Sequence, residues 1–169
     1  MKLAIIFIAA LFSSTHVFAD KWDYSTDVDK MTGKQSSTAS ITATKQLSLG
    51  FPYNGSNYGF LTIRKHPQHG LDVIVTISKG QILCPSYNGC TVKVRFGEGQ
   101  PINFSAVGPA DNSSNTVFLR NAQKFIEQAK KNSSIKIQLN IYQAGGEVLE
   151  FDSPSPLVWG AVPTKKPKA

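Results

Sequence analysis

Apolar residues recur at every second position through most of this chain, the period of a strand with one dry face and one wet face. In residues 71–78, Leu71, Val73, Val75 and Ile77 alternate with Asp72, Thr76 and Ser78. Residues 39–49 set Ala39, Ile41, Ala43, Leu47 and Leu49 against serines and threonines, and Val92, Val94 and Phe96 alternate with Thr91, Lys93 and Arg95. Ile135, Ile137, Leu139 and Ile141 pair by pattern with residues 148–151 across a turn at Ala144-Gly145-Gly146. Shorter strands fit 58–65, 101–107 and 116–119. About eight half-apolar strands have to bury their dry faces against one another. The expected fold is therefore mainly β, an antiparallel β-sandwich or barrel of about eight strands with one short helix.

That helix is the one departure from period two. Ala122, Phe125, Ile126 and Ala129 fall at i, i+3, i+4 and i+7, with Asn121 placed as N-cap and Lys130-Lys131 at the far end. It is expected to cover one end of the strands or an open sheet edge. Gly50-Phe51-Pro52-Tyr53-Asn54-Gly55 and His66-Pro67-Gln68-His69-Gly70 read as turns. The apolar parity switches after Gly80 to Ile82, which reads as a bulge at Lys79-Gly80. With the Asn88-Gly89 turn signal, this predicts a hairpin over 71–96 whose mouth is bridged by Cys84 and Cys90.

The first residues carry an address. Lys2 precedes an apolar run from Leu3 to Phe12, and Val17-Phe18-Ala19 supplies small residues before a cut between Ala19 and Asp20. A bilayer span needs about 20 apolar residues, more than this run offers. The layout is that of a cleaved signal peptide, 1–19, followed by a single β-rich domain, 20–162, and a basic tail, 163–169. No integral membrane segment is expected after cleavage, and the product is expected in the periplasm or secreted. Loss of Lys2 leaves seventeen Lys/Arg against eleven Asp/Glu, with Lys165, Lys166 and Lys168 in the tail beside Pro163 and Pro167. The domain itself is only mildly basic, without the clustered basic and aromatic residues that nucleic acid binding demands. In an oxidising compartment the two cysteines form a disulfide. Closing so short a loop stabilises by about 2 kcal/mol. Zinc is the competing reading, but two cysteines supply half a tetrahedral site.

Catalytic constellations are missing from the pattern. His66 and His69 would need a third metal ligand, and only Asp72 is near; a solvated loop is the plainer reading. No serine stands in G-x-S-x-G, and Asp23, Asp27 and Asp29 cluster near the mature N-terminus, where a site is poorly held. Glu147 and Glu150 fit a wet strand face. No glycine-rich loop opens a helix. The expectation is no enzyme, no metal and no cofactor.

Aromatics in loops are more suggestive. Among Trp22, Tyr24, Phe51, Tyr53, Tyr58 and Tyr87, several stand beside Asn, Gly, Pro and Ser. Packing at the core or a corner competes with recognition for each. The loops 51–58 and 85–89 give the candidate binding surface, Tyr53, Tyr58 and Tyr87 with Arg64. Arg64, Lys93 and Arg95 could also form a basic outer stripe or a merely solubilising face. N-x-S/T sequons at Asn54, Asn103, Asn112 and Asn132 matter only in a eukaryotic secretory pathway.

A set of landmarks resembles a largely uncharacterised family of small exported Gram-negative bacterial β-sandwich proteins, also met on mobile elements. They are Trp22-x-Tyr24, Asp29-Lys30-Met31-Thr32, Phe51-Pro52-Tyr53-Asn54-Gly55, Leu61-x-Ile63-Arg64, Gly80-Gln81-x-x-Cys84 with Cys90, Val94-Arg95-Phe96, Tyr142-Gln143-x-Gly145 and Leu157-x-Trp159. The chain is also distantly similar to the invasion-associated locus B type. Gly97 stands where that pattern has an acid after Arg95-Phe96. The resemblance implies a periplasmic β-sandwich and brings no catalytic residues.

The expected function is a non-enzymatic binding or accessory protein acting through contacts with an unknown envelope or extracellular protein. The alternatives are a periplasmic inhibitor or immunity protein against an envelope-targeted toxin or lysozyme, and a hydrolase with an unrecognised site. Positive charge disfavours basic lysozymes as targets.

Overall fold

Nine strands and a helix follow in chain order: β1 (Asp23–Val28), β2 (Gln35–Thr42), β3 (Gly59–His66), β4 (Gly70–Ile77), β5 (Cys90–Phe96), β6 (Ile102–Val107), β7 (Thr116–Leu119), α1 (Ala122–Ala129), β8 (Ser134–Ile141) and β9 (Gly145–Asp152). The structure, a computed structural model, describes residues 21–160. The signal segment 1–19, the cleavage site and the tail 163–169 lie outside the described residues.

All strands pair antiparallel in one sheet of order β1-β2-β3-β4-β7-β6-β5-β8-β9. Its weakest seam is β6–β7, where only Ala106↔Leu119 and Val107↔Phe118 pair. That short seam divides the sheet into two wings whose apolar faces share one core. The wings touch across it: a Cβ at Gly59 would lie 2.5 Å from Cδ2 of Leu149. Of the two expected architectures the barrel is excluded, because β1 pairs only with β2 and β9 only with β8. The result is sandwich-like packing achieved by one curled sheet.

The alternation did its job where both neighbours are strands. Val73, Val75, Ile77, Val92, Val94, Ile137, Leu139 and Ile141 are all buried. The β8–β9 hairpin pairs from Ser134↔Asp152 to Ile141↔Gly145. In α1, Asn121 caps the Lys124 amide, and Phe125 packs edge-on against Phe96 and Phe104 at 5.1 and 5.8 Å between ring centroids. The helix fills the core beside these rings and packs on β4, an interior strand, rather than on either edge strand.

Three expectations need correcting. The 71–96 hairpin does not exist: β4 lies between β3 and β7, and β5 between β6 and β8. The parity switch after Gly80 marks a crossing to the other wing, where Ile82 bridges to Ile141 and the Leu83 amide donates to Asn140 O. The strand expected over 39–49 is displaced to 35–42. Leu47 and Leu49 are buried from an irregular segment, so burial there imitated a strand period. Finally, β1 adds a strand with no apolar alternation; six backbone pairs with β2 define it.

Candidate functional site

Cys84 and Cys90 are bonded, closing the loop 85–89 at the start of β5 rather than across a hairpin. The loop is pressed onto the chain after β6: a Cβ at Gly108 would meet the Cys84 carbonyl oxygen at 2.5 Å. The Gly89 amide donates to Pro85 O inside the loop, and Ser86 Oγ donates to Asn112 Oδ1 at 3.1 Å. Between this loop and residues 108–114 runs a cleft of about 320 Å³, with Ile82, Leu83, Pro85 and Pro109 in its walls. Tyr87 projects from the loop, 84% exposed.

The loop before β3 is tied to the same end of the sheet by a residue that sequence reasoning passed over. Asn57 is fully buried; its Nδ2 donates to Lys79 O at 2.7 Å, and its Oδ1 accepts from Ser78 Oγ at 3.0 Å and the Lys79 amide at 3.2 Å. Lys79 Nζ reaches back to Asn54 O. A polar side chain with every group bonded is the state in which burial is tolerated. The only sequence signal was an Asn-Tyr before the strand, which looks like any turn.

The named aromatics separate. Tyr53 is half-buried and packs against the core, so its packing reading holds, and the exposed ring of its loop is Phe51, 86% exposed. Tyr58 is partly exposed, and its hydroxyl accepts from Gln46 Nε2. Trp22 is buried, and the Tyr24 hydroxyl accepts from the Val158 amide. Topology places Tyr53, Tyr58 and Tyr87 at one end of the sheet. Arg64 does not join them: it lies towards the far end of β3, forked onto Asp72 Oδ2 at 2.6 and 3.1 Å. Nor do Arg64, Lys93 and Arg95 form a stripe, since β4, β7 and β6 intervene between β3 and β5.

The ionisable groups near the wet faces are surface pairs. Glu150 sits between Lys45 at 3.1 Å and Lys136 at 3.5 Å. The hydrogen bond from Lys45, helped by the charge of Lys136, holds its carboxyl below the usual range against the opposing effect of partial burial. Asp29 is held low by the backbone amides of Thr32 and Met31. His66 and His69 stack at 4.6 Å, and His66 Nδ1 accepts from the Gln68 amide. Among the described residues no group of three or more His, Cys, Asp or Glu is placed to hold a metal ion. No helix among them is long and apolar enough to cross a membrane.

Comparison with family models, with curated proteins and with solved structures gives no match.

Proposed function

We propose that this chain is exported to the periplasm or beyond and works there as a non-enzymatic binding or accessory protein, through contacts with an envelope or extracellular protein. The carrying observation is Tyr87, a ring 84% exposed on a loop closed by the disulfide and seated on Gly108. A loop already stiffened loses less entropy on docking, and large exposed rings are the usual anchors of an interface. Phe51 at the same end of the sheet widens the surface. The signal-like first nineteen residues and the disulfide support export.

The same protruding, stiffened loop favours a narrower version, an inhibitor or immunity protein that inserts the loop into the cleft of an envelope-targeted toxin or lysozyme. Capture from envelope extract with the purified protein tests both. Tyr87→Ala is expected to weaken the captured contact by roughly thirtyfold, while Lys93→Ala leaves it intact. A captured hydrolase that is silenced on binding selects the inhibitor. Normal capture by Tyr87→Ala, or turnover of a cell-wall or lipid substrate by the protein alone, overturns the reading.

A further inference from the structure

Both outer faces carry ion pairs, Arg64–Asp72 on one wing and Arg95–Glu98 and Lys136–Glu150 on the other, but towards the Gly59 end of β3 the first face changes character. On β5, β8 and β9 the outward positions carry Lys93, Arg95, Lys136 and Glu150, an ordinary charged wet surface with ion pairs. On β1 to β4 the register builds two cross-strand rows of another character. Asp23, Ser40 and Thr62 stand opposite one another in the first, and Thr42, Phe60 and Thr76 in the second. With Lys21 they line a groove of about 680 Å³, within the size range of ligand sites.

Two features set this groove apart from a merely solvated sheet face. Phe60 lies amid hydroxyl-bearing side chains, the residue 37% exposed. Its neighbours Gly59 and Leu61 are turned into the core, so strand parity holds the ring outward. The polar groups are also uncommitted. Thr76 shares its hydroxyl with Thr116, but among the described residues Ser40, Thr42, Thr62 and Asp23 have no side-chain partner.

We propose that this groove binds a neutral glycan chain. A pyranose ring offers an apolar C–H face edged by hydroxyls, and the groove offers the complement: a ring face at Phe60, hydroxyls that both donate and accept, and a carboxylate acceptor at Asp23. Neighbouring strands are about 4.8 Å apart, a spacing comparable to one sugar unit, so successive strands meet successive units of a chain laid across them. The opposite charges of Lys21 and Asp23 leave the groove close to neutral, which disfavours polyanions. One isolated ring is too little for the central anchor cluster of a protein interface. Tyr87 does not line this groove, so the glycan site and the protein-contact reading stand or fall separately.

The test is an NMR titration of the purified protein with two neutral probes, a β-1,4-linked N-acetylglucosamine tetramer and an α-1,4-linked glucose tetramer. Saturable amide shifts confined to β1–β4 with either probe support the site, and the probe that binds gives the sugar class. Phe60→Ala is expected to weaken binding about tenfold, Thr62→Arg to fill the groove and abolish it, and Lys93→Ala to change nothing. Both groove substitutions face solvent, and a melting curve checks that each variant folds. No shifts with either tetramer at millimolar concentration, or wild-type binding by both folded groove variants, overturns the proposal.

Discussion

The Thr44 amide donates to the Glu150 carbonyl at 2.7 Å, and the Thr44 hydroxyl accepts from the Asp152 amide at 3.0 Å. One residue just past β2 thus occupies backbone groups on the outer edge of β9. An unpaired strand edge is a template for aggregation, and a residue that bonds it from the side blunts that hazard.

Thr44→Val keeps the shape and the amide bond but removes the hydroxyl, leaving the Asp152 amide without its acceptor. The expected loss is about 1 kcal/mol in urea unfolding, with Thr44→Ser close to wild type. Wild-type stability for Thr44→Val would show that water replaces the hydroxyl at no cost.

Register is tested on β4. Val75 is fully buried, whereas Thr76 points to the other face. Val75→Asp strands a carboxylate without water or partner and is expected to cost more than about 3 kcal/mol, enough to unfold many domains of this size. Thr76→Asp is expected to change the melting temperature only slightly. Equal effects at both positions would contradict the strand faces described above.

Asn57 carries a larger stake than any turn residue its sequence context suggests. Asn57→Ala removes the acceptor of the Lys79 amide and the donor to the Lys79 carbonyl together. The expected cost is about 2–4 kcal/mol, since buried backbone groups are left unpaired. Hydrogen exchange should show faster opening at Lys79 while the β8–β9 hairpin keeps its protection. Unchanged exchange at Lys79 would mean that the clamp is not what holds the crossing segment.

These residues also mark where the sequence was readable. Period two placed Val75 and Ile137 in the core because each side chain's fate is set by its own strand. It could not name the partner of β4, because the parity of a strand is the same beside β5 as beside β7. Hence the spurious hairpin, although the cysteine pair itself was legible from spacing and compartment. β1 was invisible because backbone pairing with β2 makes it, and Asp23–Val28 has almost no dry face to reveal it. At the candidate surface, Tyr87 was legible as a loop aromatic. Tyr53 was not, since a ring in a turn folds inward or outward according to contacts distant in sequence. Phe60 could have been singled out from the parity of Leu61 and Ile63, which puts it on the wet face of a strand.

Acid should weaken the domain partly through Glu150. Its carboxyl is held low in the folded state by the Lys45 hydrogen bond and the Lys136 charge. A depressed pKa contributes stability above the unfolded value, about 4.3 for a glutamate, and that contribution is lost as pH falls through the folded value. Because the pair is solvent-screened, Glu150→Gln is expected to cost less than about 1 kcal/mol at pH 7. The gap between variant and wild type should close below about pH 4. A gap that widens in acid would reverse the assigned sign.

The disulfide gives a prediction that separates fold from function. Cys84 and Cys90 enclose a five-residue loop, so restricting the unfolded chain is worth only about 2 kcal/mol, against roughly 5–15 kcal/mol for a typical domain. Cys84→Ser with Cys90→Ser should therefore lower the melting temperature yet leave a folded, cooperative protein, because the core strands do not depend on the bond. The Tyr87 loop, though, loses its closure while keeping its seat against Gly108. Partner capture should weaken by more than the drop in folded fraction accounts for, since the free loop must be ordered on docking. Measuring capture at a temperature where both proteins are fully folded isolates that term. Equal capture there would place recognition away from the loop, and failure of the double variant to fold would mean that the bond, rather than the core, organises this end of the sheet.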